Sequence, residues 1–205
     1  MGARISTGKG NKQDYATPAD FMAAVAKRFG PITFDLAAHA GNAKSPNYFA
    51  PVTGPEGPMP RDPKAFGMDA FDHSWSKLSC NRFSNNGFKG LLWLNCEFND
   101  IPRWTARVRD ESEKGANILS LTPASVGSVW FDTLVASYAN VYLLRPRISF
   151  IPGEPYNKDC MLAHFMDPRD VKEDERFFFI CTWDWKRDKI THLWELARDE
   201  PTTDV

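Results

Sequence analysis

The chain has 205 residues, of which 42% are hydrophobic, enough for one globular domain with a sizeable core. Its formal charge of −1 leaves no overall basic field, so any nucleic-acid surface must concentrate Lys and Arg on one face. Cys80, Cys96, Cys160 and Cys181 form no C-x-x-C pair, His39, His73, His164 and His192 lack metal-ligand spacing, and no apolar run approaches the ~20 residues of a membrane span, which argues against structural zinc and membrane insertion and predicts a protein of a reducing cytoplasm.

Residues 1–14 are polar and Gly-containing and carry Arg4, Lys9 and Lys12, so they are expected to form a flexible arm ahead of the folded domain. Thr17 suits a helix N-cap, with Pro18 at the first helical position. Phe21, Val25 and Phe29 then recur every fourth residue until Gly30-Pro31 stops the helix. Residues 32–38 read as a short buried strand. The stretch 51–67 holds Pro51, Pro55, Pro58, Pro60 and Pro63 with three glycines, a composition that predicts an exposed inserted loop. Residues 81–90 form a second loop around Asn85-Asn86-Gly87.

Leu91–Leu94 is a strand-like apolar run that empties into Asn95-Cys96-Glu97-Phe98. A helix capped by Asp100, with Pro102 in its first turn, turns Ile101, Trp104 and Val108 inward and Arg103 and Arg107 outward until Gly115. Residues 117–121, 141–144, 148–151, 161–165 and 177–183 are predicted strands, and 126–138 is a predicted helix. The folded domain is set at 15–185, with 186–205 as a C-terminal tail. Helices alternating with strands, followed by a strand-rich end, predict an α/β fold with a mostly parallel sheet and antiparallel C-terminal strands.

Several polar residues sit where such a sheet places ligands, beyond the carboxyl ends of its strands. Asp35 ends the first strand and suits either a ligand's amino or ribose group or a plain capping role. Ala37 and its small neighbours let a ligand approach the backbone closely. Asp69 is either a ligand carboxylate or a solvated turn residue. Asn95 ends a Leu/Trp-rich run and needs a partner, because an unpaired buried amide costs about 1–3 kcal/mol; a substrate amine and a turn backbone both qualify. Phe98 can stack on a base or fill the core. Thr122-Pro123-Ala124-Ser125 joins a strand to a helix and offers amide groups to an anion. Arg145 and Arg147 suit phosphate contact or protection of a sheet edge.

These pieces fall in the order of a known family. The matching segments are Tyr15-Ala16-Thr17-Pro18, then Phe34-Asp35-Leu36-Ala37-Ala38 with Asn42-Ala43-Lys44 and Tyr48-Phe49. Asp69-Ala70-Phe71 with Trp75 follows, then Leu91 to Trp104, Leu121-Thr122-Pro123-Ala124 with Trp130-Phe131, and Arg145 to Phe150. The chain resembles the phage-type, Dam-like DNA N6-adenine methyltransferases. The resemblance implies a Rossmann-like fold that binds S-adenosylmethionine, acts on double-stranded DNA in the cytoplasm of a bacterial host and shields a phage genome from restriction. It implies cofactor contacts from Asp35, Ala37, Asp69, Phe71, Tyr15, Thr17 and Pro18, and DNA contacts from Arg103, Arg107, Arg145 and Arg147. It implies no metal.

In the same frame Asn95, Cys96, Glu97 and Phe98 stand where the family has Asn-Pro-Pro-aromatic. There the Asn and the first proline's carbonyl take the protons of the base amine, and the aromatic ring stacks on the flipped base. Proline fixes φ and carries no N–H, which holds those carbonyls toward the cavity. Cys96 and Glu97 remove both constraints. Glu97 also brings a carboxylate that favours the cationic donor at least as much as a dispersed transition state. The alternative is therefore a methyltransferase-fold protein with weak or no turnover that binds DNA, cofactor or a host protein.

Overall fold

The computed structural model describes residues 16–51, 53–54, 57–58, 61–79, 90–136, 138–166 and 178–192. Tyr15, the 1–14 arm and nearly all of the 81–90 loop lie outside the described residues.

Helix α1 spans Ala19–Phe29 and buries Phe21 and Val25, the apolar positions four apart. Its end is set by Gly30, whose φ of 94° disfavours a side chain. Strand β1 (Ile32–Asp35) follows, then a small antiparallel hairpin of β2 (Thr53–Gly54) and β3 (Gly57–Pro58) inside the Pro/Gly-rich stretch read as a loop. A short helix α2 (Trp75–Leu78) leads to β4 (Leu91–Leu94), helix α3 (Ile101–Glu113) and β5 (Asn117–Pro123). One turn of helix α4 (Val129–Phe131) passes into a wider π-helical turn at Asp132–Ala136, so the helix predicted over 126–138 is shorter. Strands β6 (Asn140–Arg145), β7 (Cys160–Phe165), β8 (Ile180–Asp184) and β9 (Lys189–His192) are the last elements among the described residues.

Among the described residues, seven strands make one mixed sheet in the order β1-β4-β5-β7-β6-β8-β9. β1, β4 and β5 are parallel neighbours; β7 enters antiparallel between β5 and β6, and β6 pairs parallel with β8. This is the expected α/β class, with parallel strands at the start and antiparallel pairing toward the C-terminus. Two further expectations, for the later strands and the tail, need correction. Residues 148–151 contribute only an isolated bridge, Ile151 to Glu154, because the stretch bonds within its own connection, with the Tyr156 amide donating to the Ile148 carbonyl at 2.8 Å. Strand β9 falls inside the segment read as a tail; its 189–192 backbone closes on β8 through the 185–188 turn.

β4 explains its own composition. Leu92 and Leu94 face a core shared with Ile101 and Val108 of α3, whereas Leu91 and Trp93 face Phe21 and Val25 of α1 on the other side. A strand covered on both faces has no solvent side, so all four residues are apolar. Full burial of each Leu contributes about 1.5–3 kcal/mol. Glu111 of α3 anchors α2 from within this core: its carboxylate accepts the Trp75 and Ser76 amides at 2.8 and 3.1 Å.

The connection after β1 positions the site. The Asp35 N–H donates to the Asn47 carbonyl at 2.8 Å and Tyr48 bridges Asp35 in parallel, outside β1; Phe49 in turn bridges Gly67 in parallel, one position further out. The chain then returns to β4 on the opposite side of β1. It thus leaves β1 in one direction and resumes in the other, creating a switch point between the carboxyl ends of β1 and β4. Ligands of open α/β sheets bind in the crevice at such a point.

Candidate active site at the switch point

Asp35 ends β1 with its side chain buried, 2% exposed. Its two oxygens accept the backbone N–H groups of Ala37, at 3.2 Å, and Lys44, at 2.9 Å. Burial pushes its carboxyl up to about 6, although the Lys44 and Ala37 amides and the Lys44 charge pull it down. Asp35 thus clamps both ends of the loop over β1. Inside that loop the Asn42 side chain accepts the His39 amide at 2.8 Å, and the Asn42 and Ala43 amides close on the His39 carbonyl at 3.0 Å. Ala37, Ala38, Ala40, Gly41 and Ala43 keep this backbone thinly covered. A loop of small residues whose shape is held from beneath by a buried carboxylate leaves room for a ligand laid against its backbone.

Asn95 leaves β4 half-buried, and its side-chain amide donates to the Thr17 hydroxyl at 3.1 Å. Here the N-cap reading is corrected. Pro18 is the cap residue, no side chain caps the helix, and Thr17 turns its hydroxyl to Asn95. The contact joins residues 78 positions apart. It places the start of α1 beside the carboxyl end of β4 and orients the Asn95 amide.

Cys96 is 4% exposed and packs into the core on the α3 side. Burial pushes its thiol up to about 12, so it is a neutral packing group at physiological pH. Glu97 is exposed, and its backbone carbonyl accepts the Asp100 amide at 3.2 Å in the turn that starts α3. Phe98 is half-buried with its ring 6.1 Å from that of Tyr156, which meets Phe150 edge-on at 5.2 Å. The 146–159 connection therefore lies against the Asn95–Phe98 turn, and Tyr156 joins the site without having been singled out in the sequence, where it sits in a polar stretch with no periodic pattern.

The remaining candidates are scattered in role. Asp69 is exposed and its carboxylate accepts the Phe71 amide at 2.8 Å, which caps a short 3-10 turn. Phe71 stacks under the Arg103 guanidinium, 4.0 Å from the ring centroid, and packs on Trp104 at 4.6 Å. Arg103 also pairs with Asp100 at 3.5 Å. Arg107 is drawn inward: it donates to the His73 carbonyl at 2.8 Å and pairs with Glu111 at 3.3 Å. Arg147 pairs with Asp159 at 2.7 Å. Three of the four candidate DNA arginines thus have an internal acidic partner among the described residues, leaving Arg145.

Among the described residues, no three His, Cys, Asp or Glu side chains gather as a metal site, and no helix is long and apolar enough to cross a membrane. No family model, curated protein or solved structure matches this chain.

Proposed function

We propose that the chain is a Rossmann-like, S-adenosylmethionine-dependent methyltransferase of the phage DNA N6-adenine type, and that its site is the crevice between β1 and β4. The observation that carries this reading is Asn95, at the carboxyl end of β4 beside the switch point, with its amide held by Thr17. The cofactor supplies a methyl group made electrophilic by sulfonium. The loop clamped by Asp35 holds it, with Ala37 and its small neighbours giving access to backbone.

The Thr17 contact makes the Asn95 amide nitrogen the donor to protein, and the reading assigns its oxygen a proton of the adenine amine. Cys96 stands where the family has its first proline, so by that resemblance its carbonyl takes the second amine proton, while Glu97's carbonyl accepts the Asp100 amide. Phe98, steadied by Tyr156, stacks on the base; such contacts are worth about 1–3 kcal/mol per base in single-strand binders. Placing two acceptors on the amine holds its lone pair toward the incoming methyl group, which is catalysis by orientation.

The test incubates the protein with isotopically labelled S-adenosylmethionine and unmethylated DNA and measures N6-methyladenine, with Asn95→Ala alongside. Methyladenine from the native chain and none from the variant is the expected result. A native chain that makes none refutes the catalytic reading. The second reading, a non-catalytic binder of DNA, cofactor or a host protein, is favoured by Cys96, whose replacement of a proline returns an N–H to the loop. It requires calorimetric binding of cofactor or DNA without turnover.

A further inference from the structure

The edge of the sheet that holds Asn95 also carries a cationic cleft. Arg145 ends β6 and pairs in register with Asp184 at the end of β8. β6 and β8 run parallel to β4, so these carboxyl ends share the edge of the switch point. The 185–188 turn is fastened there by Trp185, whose backbone and indole N–H groups donate to the carbonyls of Arg145 at 2.9 Å and Pro146 at 2.7 Å. The Trp185 ring meets Phe21 of α1 edge-on at 5.3 Å, and the same helix begins beside Thr17, the partner of Asn95.

Arg145, Pro146, Asp184, Lys186 and Arg187 line a cleft of about 340 Å³. Three cations face one carboxylate, in a chain whose formal charge is −1. That carboxylate accepts the Arg187 amide at 3.1 Å and meets the Arg187 guanidinium only at 3.9 Å, at the limit of an ion pair, with the arginine side chain 83% exposed and so able to turn to a phosphate. Lys186 lies over the Trp185 ring, 5.2 Å from its centroid, which leaves its ammonium at the surface. Among the described residues, Arg145 lacks the acidic partner that Arg103, Arg107 and Arg147 each have.

From this we infer that Arg145, Lys186 and Arg187 form a phosphate-contacting cleft for the backbone of double-stranded DNA. The inference rests on the proposed function for its DNA substrate but adds two residues and removes three from the expected contact surface. A shallow row of long, exposed cations without a buried donor suits a polyanion running across it, whereas an enclosed single anion is held by converging amides.

The experiment titrates fluorescently labelled duplex DNA with the full chain across a range of salt concentrations. The variants are Arg145→Gln/Lys186→Gln/Arg187→Gln, Arg147→Gln and Asp184→Asn. Each lost phosphate contact lowers the slope of log affinity against log salt by about 1, so the triple variant should lose about 3 and bind at least about tenfold more weakly. Arg147→Gln should leave the slope unchanged, and Asp184→Asn should tighten binding. A triple variant with the native slope overturns the inference, as does a loss of slope equally large in Arg147→Gln. Displacement of DNA by inorganic phosphate beyond that by chloride of equal ionic strength also overturns it, by showing a site for the free anion. Methylation is measured separately. DNA binding through this cleft without methyladenine sinks the catalytic reading alone, and methylation with an unchanged slope sinks the cleft alone.

Discussion

Two buried ionisable groups make opposite demands on the fold, and their cancellation can be undone one residue at a time. Burial raises Asp35 from 3.8 to about 6. Between those values the folded state binds more protons than the unfolded one, so stability falls as pH rises. Burial lowers His164 from 6.5 to about 4; its ring sits 5.5 Å from Phe29 and its Nε2 contacts the Asn117 side chain at 2.8 Å. In that window the unfolded state binds more protons, so stability rises with pH. At about 1.4 kcal/mol per tenfold change in proton affinity, each group contributes about 2 kcal/mol of change between pH ~4.5 and ~7, with opposite signs. The native protein should therefore vary by under about 1 kcal/mol across that range. Asp35→Asn should leave stability rising by about 2 kcal/mol, and His164→Gln should leave it falling by about 2 kcal/mol. Urea midpoints at a series of pH values, converted with a common slope, measure all three curves. Any constant cost of the substitutions, such as the new side-chain amide of Asp35→Asn facing the Lys44 N–H, displaces a curve without tilting it. Three parallel curves would refute the reasoning, because they would mean that neither group is displaced by burial.

Glu111→Ala should destabilise by about 3–5 kcal/mol in urea, since it strands the Trp75 and Ser76 amides and leaves Arg107 without its carboxylate; a loss under ~1 kcal/mol would show that α2 is held by packing alone. Thr122→Val should be neutral or raise stability by about 1 kcal/mol, because the Thr122 hydroxyl is buried with no partner among the described residues. A clear loss would reveal a bond to the missing oxygen. Cys96→Pro/Glu97→Pro should raise the rate of adenine methylation if the native loop is a weakened catalyst, read against a typical turnover of ~1–10³ per second. Equal rates in both proteins would mean the prolines are dispensable in this loop.

Local pattern was sufficient wherever a residue's neighbours along the chain set its environment. Leu91–Leu94 reads as a buried strand from four apolar residues in a row, and α1 from the fourfold spacing of Phe21 and Val25. The β1-β4-β5 neighbourhood and the antiparallel end followed from alternating elements. Asn95 was conspicuous because an amide at the end of such a strand must find a partner. The identity of that partner belongs to the tertiary structure: the choice of Thr17 over a turn carbonyl depends on α1 packing across β4. The same holds for Asp35, whose oxygens are taken by its own loop, and for the arginines, since cations that look equivalent in sequence differ only in which carboxylate the fold brings near them. β9 escaped notice because its Lys189-Ile190-Thr191-His192 has no apolar face of its own and is a strand only because β8 offers it an edge. Pairing across a sheet and charge neutralisation across long sequence separations are properties of the assembled surface, and no local window of the chain contains them.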